Sequence, residues 1–128
     1  MNNLIIDAAR DKIFLTFIAN GNIYTCSYKN SKINFEKLMV LIDNFLRSNK
    51  SSLNDITAIY VNRGPGSFAG IRNSLATIKA LFLTKKIDYY CFSFDDFDKI
   101  GRIEYKEVPN LCKKFKIKKN LINPIYLS

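Results

Sequence analysis

A glycine-rich loop holds the residues whose types and spacing best suit chemistry. Residues 62–72 read NRGPGSFAGIR and join an apolar run to an amphipathic segment. Gly64 and Gly66 accept backbone angles closed to other residues, and Ser67 is a favourable helix N-cap. Because a helix N-terminus attracts anions, Gly64, Pro65, Gly66 and Ser67 form a candidate anion site. The residues alone favour a plain strand-to-helix turn, since the loop lacks the Gly-Lys-Ser/Thr ending of a P-loop.

An acidic residue, Asp7, ends the first apolar run, where ribonuclease H-like nucleases place a metal-binding carboxylate. A two-metal nuclease needs several converging acids. The equivalent position after the fourth predicted strand carries Asn62, and Asp95, Asp96 and Asp98 are more typical of a solvated helix start. A metal-dependent nuclease therefore stays an alternative, with no catalytic residue and no metal ligand assigned.

The composition excludes several classes of site. The 128 residues contain no histidine, so imidazole bases and histidine metal ligands are ruled out. The three cysteines, Cys26, Cys91 and Cys112, form no CxxC pair and suit a reducing compartment. No apolar run approaches the roughly 20 residues that span a bilayer, and no basic region precedes the first run. A cytoplasmic protein without a membrane contact is expected.

Positive charge is the third chemical feature, with a formal net charge of +9. Lysine recurs in every segment, which favours a compositional bias, because a nucleic-acid footprint clusters its charge. One cluster lies near the C-terminus, where cations alternate with apolar residues. It is either an edge strand or amphipathic segment with solvated lysines, or a contact for a nucleic-acid backbone. The candidate contacts are Lys113, Lys114, Lys116, Lys118 and Lys119.

The elements that must position these residues follow from hydrophobic periodicity. Asn20-Gly21 predicts a two-residue hairpin between the second and third strands. A short helix that starts at Ser93 or Asp95 and ends at residue 100 is also predicted. The predicted strands are 3–8, 12–19, 22–28, 56–61 and 89–94, and the predicted helices are 34–47 and 67–83.

The order β-β-β-α-β-α-β predicts an α/β fold with a mixed five-stranded sheet. Three antiparallel strands followed by two right-handed crossovers form the core of the ribonuclease H-like fold, which is also the half-domain of actin-like ATPases. Residues 1–101 form this predicted domain. Residues 102–128 are expected to be a basic tail that packs back on it.

Both predicted helices are more apolar than one sheet contact requires. Either they cover the sheet and each other, or the excess forms a surface for a partner. The second interpretation is favoured, because small residues allow close approach and methionine adapts to its neighbours. The candidate partner-binding residues are Phe35, Met39, Phe68, Ala69, Arg72, Asn73, Ala76 and Ala80.

Three stretches of the chain resemble the bacterial TsaB family of tRNA-threonylcarbamoyladenosine factors. GPGSFAGIR followed by NSLATIKAL is similar to the family signature, and LIIDAA is similar to its first strand. NPIYL near the C-terminus resembles the closing segment of the family. The resemblance covers about the first hundred residues, so the chain is expected to be little more than the N-terminal half of a member.

The resemblance implies a noncatalytic scaffold or stabilising subunit. Such a subunit pairs with a TsaD-like enzyme through the two helices beside the signature, and a TsaE-like ATPase joins the complex. No cofactor belongs to the subunit itself. The partner carries the metal and the ATP-derived threonylcarbamoyl-adenylate. The C-terminal lysines would then contact tRNA.

The sequence departs from the family pattern at several positions. Ile33 and Asn34 stand near the usual His-Ser/Thr pair, and Ala8 replaces threonine. Ser74 and Ala80 occupy helix positions usually held by glycine. Because these changes affect helix packing, a homodimer without a surviving partner remains a further alternative.

Overall fold

Five strands form one mixed sheet in the computed structural model, which describes residues 1–98 and 101–126. The strand order is β3-β2-β1-β4-β5. β1, β2 and β3 run antiparallel, whereas β4 and β5 run parallel to β1 and to each other. The predicted topology is therefore confirmed. The strands are β1 (Asn3–Asp7), β2 (Lys12–Ala19), β3 (Asn22–Lys29), β4 (Ala58–Asn62) and β5 (Asp88–Phe92).

The hairpin between β2 and β3 turns at Asn20 and Gly21. Both residues have positive φ, +53° and +80°, as a type I′ turn requires. Ala19 pairs with Asn22, so the loop is the predicted two residues long.

In the described residues, four α-helices accompany the sheet: α1 (Lys32–Glu36), α2 (Leu38–Ser48), α3 (Phe68–Lys85) and α4 (Val108–Lys114). The single helix predicted over 34–47 was wrong. The helical segment begins earlier, at Lys32, because the Ser31 hydroxyl caps it by accepting from the Asn34 N–H. It is divided in two at Lys37, whose φ of −98° and ψ of 13° lie outside the helical region.

The helix predicted to run from Ser93 or Asp95 to residue 100 is shorter than expected. Only a 3₁₀ turn forms, Phe94–Asp96, with Ser93 as its N-cap. Residues 99–100 lie outside the described part of the chain. Within that part, no helix combines the length and apolarity needed to cross a membrane.

The two faces of the sheet are covered by different parts of the chain. Alternate side chains of β1 and β4, such as Leu4 and Ile59, face helices α1 to α3 in the larger core. Ile5 and Tyr60 point the other way, into a smaller core. α4 closes that smaller core through Val108 and Cys112.

The two edges of the sheet differ. Asn120 closes the outer edge of β5, because its side-chain oxygen accepts from the Tyr89 N–H at 2.9 Å and its N–H donates to the Tyr89 carbonyl at 2.8 Å. β3 forms the opposite edge with eight residues. Within residues 1–98 and 101–126, β2 is the strand paired with it.

Candidate functional site

Two N–H groups of the glycine loop directly after β4, those of Gly64 and Ser67, donate to acceptors within the chain. The Gly64 N–H donates to the side-chain oxygen of Asn62 at 2.9 Å. The Ser67 N–H donates to the Ala9 carbonyl at 3.0 Å, and the Ser67 hydroxyl accepts from the Gly70 N–H at 3.2 Å. The N–H groups of Gly64 and Ser67 are therefore bonded within the chain, as a strand-to-helix turn allows, and Pro65 has no N–H group.

Two glycines of the signature permit close contact with the backbone after β1. A Cβ on Gly66 would lie 2.2 Å from the Ala9 carbonyl oxygen, and one on Gly70 would lie 1.7 Å from that of Ala8. Neither carbonyl is a flexible side-chain end that could move aside. The first turn of α3 is thus held against the end of β1.

The carboxylate of Asp7 is fully buried and hydrogen-bonded through both oxygens. One oxygen accepts from the Ala9 N–H and the Asn62 side-chain amide, both at 3.1 Å. The other accepts from the Tyr105 hydroxyl at 2.6 Å and lies 3.5 Å from the Arg10 guanidinium. Asp7 is therefore a hydrogen-bond acceptor for the Ala9 backbone, Asn62 and Tyr105 in this arrangement. In the described ranges, no group of three potential metal ligands is found.

Tyr105 comes from the tail, and sequence reasoning missed it. Its ring lines the second face of the sheet, 5.9 Å from the Phe14 ring. Burial, and then the nearby Asp7 charge, raise the pKa of Tyr105 above its ordinary value. The hydroxyl therefore stays a hydrogen-bond donor through the physiological range.

Arg63 ties the loop to the tail. Its guanidinium donates to both Asp96 oxygens, at 2.7 and 3.3 Å, and to the Asn123 carbonyl at 3.1 Å. Its own carbonyl accepts from the Ile125 N–H at 2.7 Å. Asp96 is thus paired with Arg63, and its side chain also accepts from the Ser93 N–H at the start of the 3₁₀ turn. The expectation that Asp96 belongs to a solvated helix start was therefore wrong. Asp95 and Asp98 are exposed.

Most of the candidate partner-binding residues lie on the outside of α3. Phe68 is 51% exposed, and Arg72 is exposed beside it. Asn73 is half-buried, and its amide donates to the Ala69 carbonyl at 2.8 Å. Ala69, Ala76 and Ala80 are exposed along the same helix.

Two candidates on the preceding helices are placed differently. Phe35 is only 6% exposed and belongs to the larger core, so its assignment to a partner surface was wrong. The break at Lys37 turns α1 so that Phe35 lies under α3, close to Gly70. Met39 is half-buried against the same core.

Exposed apolar side chains on the helices extend the surface beyond the predicted set. Ile33, Val40 and Leu83 are each more than half exposed. Tyr126, from the tail, packs against Phe68 with ring centroids 4.7 Å apart and the ring planes tilted by 55°. We call seven exposed residues that share one side of α3 the α3 face: Phe68, Ala69, Arg72, Ala76, Lys79, Ala80 and Leu83.

The C-terminal lysines are exposed on the opposite side of the sheet from α3. Phe115 and Ile117 between them pack against the smaller core. The segment is the end of α4 followed by a loop, which fits the amphipathic alternative, and it reaches the edge of β5 at Lys119, which forms an antiparallel bridge with Tyr90. The exposed lysines are Lys113, Lys114, Lys116, Lys118 and Lys119.

A family model for TsaD, tRNA N6-adenosine threonylcarbamoyltransferase, matches residues 30–93, half of the chain. The match runs from the start of the helical region to the end of β5. It includes the whole glycine loop and α3.

Two curated proteins share this region, and both are named tRNA threonylcarbamoyladenosine biosynthesis protein TsaB. The protein from Buchnera aphidicola subsp. Baizongia pistaciae (strain Bp) is 34% identical over an alignment of 83 residues, and the match covers 56% of this chain and 38% of that protein. The protein from Buchnera aphidicola subsp. Schizaphis graminum (strain Sg) is 30% identical over 90 residues, 70% of this chain and 43% of that protein. The chain spans about two fifths of the length of these relatives.

Solved structures show the same fold. YeaZ from Pseudomonas aeruginosa matches with a TM-score of 0.66 at 18% identity, over 72% of this chain and 43% of that one. A second structure, described as an uncharacterized protein with similarity to peptidase YEAZ from Pseudomonas aeruginosa, matches with the same score, identity and coverage. The glycine signature, the family model and the named relatives agree: the chain belongs to the family that the TsaD model describes, and within it to the TsaB group.

Proposed function

We propose that the chain is a noncatalytic scaffold or stabilising subunit that pairs with a TsaD-like enzyme in tRNA threonylcarbamoyladenosine formation. The observation that carries the proposal is the α3 face. It lies largely within the family signature, and it leaves Phe68 and Leu83 half or more exposed to solvent. Apolar side chains exposed along one helix face favour a protein contact, because contiguous exposed apolar patches mark interaction sites.

The internal chemistry of the chain supports a binding role. The Asp7 carboxylate accepts hydrogen bonds from Asn62 and from Tyr105. In the glycine loop, the Gly64 N–H donates to the Asn62 side chain. In the proposed complex the partner supplies the metal and the ATP-derived threonylcarbamoyl-adenylate. This chain contributes position and stability, with no cofactor of its own.

Further partners belong to the same proposal. A TsaE-like ATPase joins the complex, and the exposed C-terminal lysines contact the tRNA backbone. Because tRNA modification takes place where tRNA is made and used, we infer a cytoplasmic protein. A homodimer through the same helices is the competing state.

The experiment combines purified chain with the TsaD-type protein encoded in the same genome. We expect a stable complex by size-exclusion chromatography with light scattering, and faster threonylcarbamoylation of tRNA than the enzyme achieves alone. The double variant Phe68→Ser, Leu83→Ser should lose the complex. Ile23→Ser serves as the matched control, because Ile23 is similarly exposed but lies on β3.

Three results would count against the proposal. Absence of a complex with the wild-type chain rejects the scaffold role. Modification of tRNA by the chain without the enzyme rejects the noncatalytic role. A dimer of the chain that persists in the presence of the enzyme favours the homodimer alternative.

A further inference from the structure

We propose that a cavity between the sheet and the tail binds a small zwitterion, an α-amino acid with an apolar side chain. The ligand carboxylate lies at the Arg102 guanidinium, and the ligand ammonium lies at the Asp95 carboxylate. The inference is independent of the proposed pairing role, because the cavity is on the face of the sheet opposite to α3.

The cavity lies beside the smaller core, between two strands and the start of the tail. Its base is formed by Thr16 of β2 and Thr25 of β3, which are directly opposite each other in the strand register. Thr16 is also paired with Ile5 of β1, so its side chain shares the face of the smaller core. Residues 101–106 line the other side, and the volume is about 500 Å³. Pockets for small molecules measure roughly 300–1,000 Å³, so the space suits a small ligand.

The base of the cavity carries a buried hydroxyl group without a partner. Thr16 is 2% exposed, and among the described residues its hydroxyl makes no hydrogen bond. Buried polar side chains in folded proteins usually have a hydrogen-bond partner. Because Thr16 lines the cavity, a polar group of a bound ligand is the partner that fits this position.

Two cations that line the cavity are already paired with carboxylates. The Arg10 guanidinium lies 3.5 Å from the Asp7 carboxylate. The Lys106 ammonium lies 3.4 Å from the Glu104 carboxylate. These two pairs therefore leave no net charge for a ligand to balance.

The remaining charges in the lining are one of each sign. Arg102 and Asp95 both line the cavity, and within residues 1–98 and 101–126 neither forms an ion pair, with the other or with any third residue. A simple anion is attracted by Arg102 but repelled by Asp95, and a simple cation has the reverse problem. A zwitterion pairs with both groups at once, so it matches the cavity better than either.

The rest of the lining is apolar and selects the ligand's side chain. Phe94 and Ile103 line the cavity, and Ile23 is 47% exposed at its margin. Tyr105 contributes its ring, because its hydroxyl is bonded to the Asp7 carboxylate. An apolar side chain on the ligand would cover these groups, which favours an amino acid such as leucine over a polar one.

The test is a two-dimensional NMR titration of the full chain with L-leucine. We expect saturable shifts of the Thr16 and Thr25 amide signals, and weaker binding of N-acetyl-L-leucine and L-leucinamide, which each lack one charge. Asp95→Asn and Arg102→Gln should each weaken L-leucine binding at least about tenfold. Thr16→Val, which keeps the shape and removes the hydroxyl, should weaken it about threefold or more.

Matched controls come from the ion pair on α2. Asp43→Asn and Arg47→Gln make the same two changes of charge on the other face of the sheet and should leave the affinity unchanged. Urea unfolding of each variant checks that the fold is intact.

The other outcomes overturn the inference. Equal binding of N-acetyl-L-leucine and L-leucine would show a plain anion site, and equal binding of L-leucinamide a plain cation site. Equal losses in the cavity variants and the α2 variants would show that the cavity is not where the ligand binds. Absence of saturable shifts up to about 10 mM L-leucine would reject the site altogether.

Discussion

The Tyr105 hydroxyl donates a 2.6 Å hydrogen bond to the buried Asp7 carboxylate across a sequence separation of ninety-eight residues. This bond links the tail to the end of the first strand. Asp7 in turn accepts from Asn62 at the end of β4, so one carboxylate joins three distant segments.

Removing the Tyr105 hydroxyl should destabilise the fold. Tyr105→Phe keeps the ring but leaves one oxygen of a buried carboxylate without its shortest donor. We expect a loss of about 2 kcal/mol in the free energy of unfolding, measured in urea. Tyr24→Phe, a half-buried tyrosine of β3, should change it by less than about 0.5 kcal/mol. Equal effects of both variants would contradict the linking role.

Stability should fall at alkaline pH, and Tyr105 should contribute to the fall. Because burial and Asp7 raise its pKa above 10.0 in the folded state, its contribution is complete below pH 10. It is lost as pH rises further, since the unfolded state releases the proton first. The free energy of unfolding should therefore drop more steeply between pH 9.5 and about 11 in the wild type than in Tyr105→Phe. Parallel curves would refute this. Tyr60, whose pKa burial raises to about 12, is common to both proteins and cancels.

The Arg63 interaction should matter more than a surface ion pair. Arg63→Ala removes two bonds to Asp96 and one to the Asn123 carbonyl, with both charged side chains at most 20% exposed. We expect a loss of about 2 kcal/mol in unfolding free energy and faster proteolysis of the tail. Arg47→Ala, which breaks the exposed pair with Asp43, should cost about 0.5 kcal/mol or less. If the tail resisted proteolysis equally in Arg63→Ala and Arg47→Ala, the Arg63 hydrogen bonds would not be what holds the tail in place.

Gly70→Ala should destabilise the protein although alanine is the better helix former. The added Cβ would meet the Ala8 carbonyl oxygen at 1.7 Å, so β1 and α3 must separate. We expect a loss of about 2 kcal/mol or more by chemical unfolding. Ala76→Gly, at an exposed site of the same helix, gives the ordinary propensity cost of about 1 kcal/mol. If Gly70→Ala stabilised the chain, the close approach would be disproved.

Neutralising the tail should weaken tRNA binding if the lysines contact phosphates. The variant changes Lys113, Lys114, Lys118 and Lys119 to alanine and spares Lys116, whose φ of +55° disfavours alanine. The slope of log K against log salt should decrease by about one for each lysine in contact. Matched neutralisation of the exposed Lys12, Lys29, Lys32 and Lys37 should leave most of the slope. Similar losses from both sets would indicate nonspecific charge attraction.

Local patterns in the sequence predicted the sheet, the hairpin and the loop before α3. Asn20-Gly21 sets the hairpin through its own backbone preference, and the apolar run before Asn62 marks a central strand. Both signals involve neighbouring residues, and the structure confirms them.

Contacts between residues that are far apart in the sequence could not be predicted from such local patterns. The pairs Asp7 with Tyr105 and Arg63 with Asp96 join segments that no periodicity connects. Phe35 was misplaced for a local reason, because the stripe of a continuous helix was assumed and the chain breaks at Lys37. The exposure of Phe68 depends on Tyr126, which belongs to the tail.

Because the two edges of the sheet differ, a further strand could add at one of them only. A foreign strand can add beside β3, whereas Asn120 occupies the side beyond β5. If two copies paired through β3, strand addition would stop at that pair, because Asn120 bonds to the outer edge of β5 in each copy. Cleavage that released the segment around Asn120 would leave the outer edge of β5 unpaired as well. Strands could then add at both edges of the sheet, which is the condition for fibre formation.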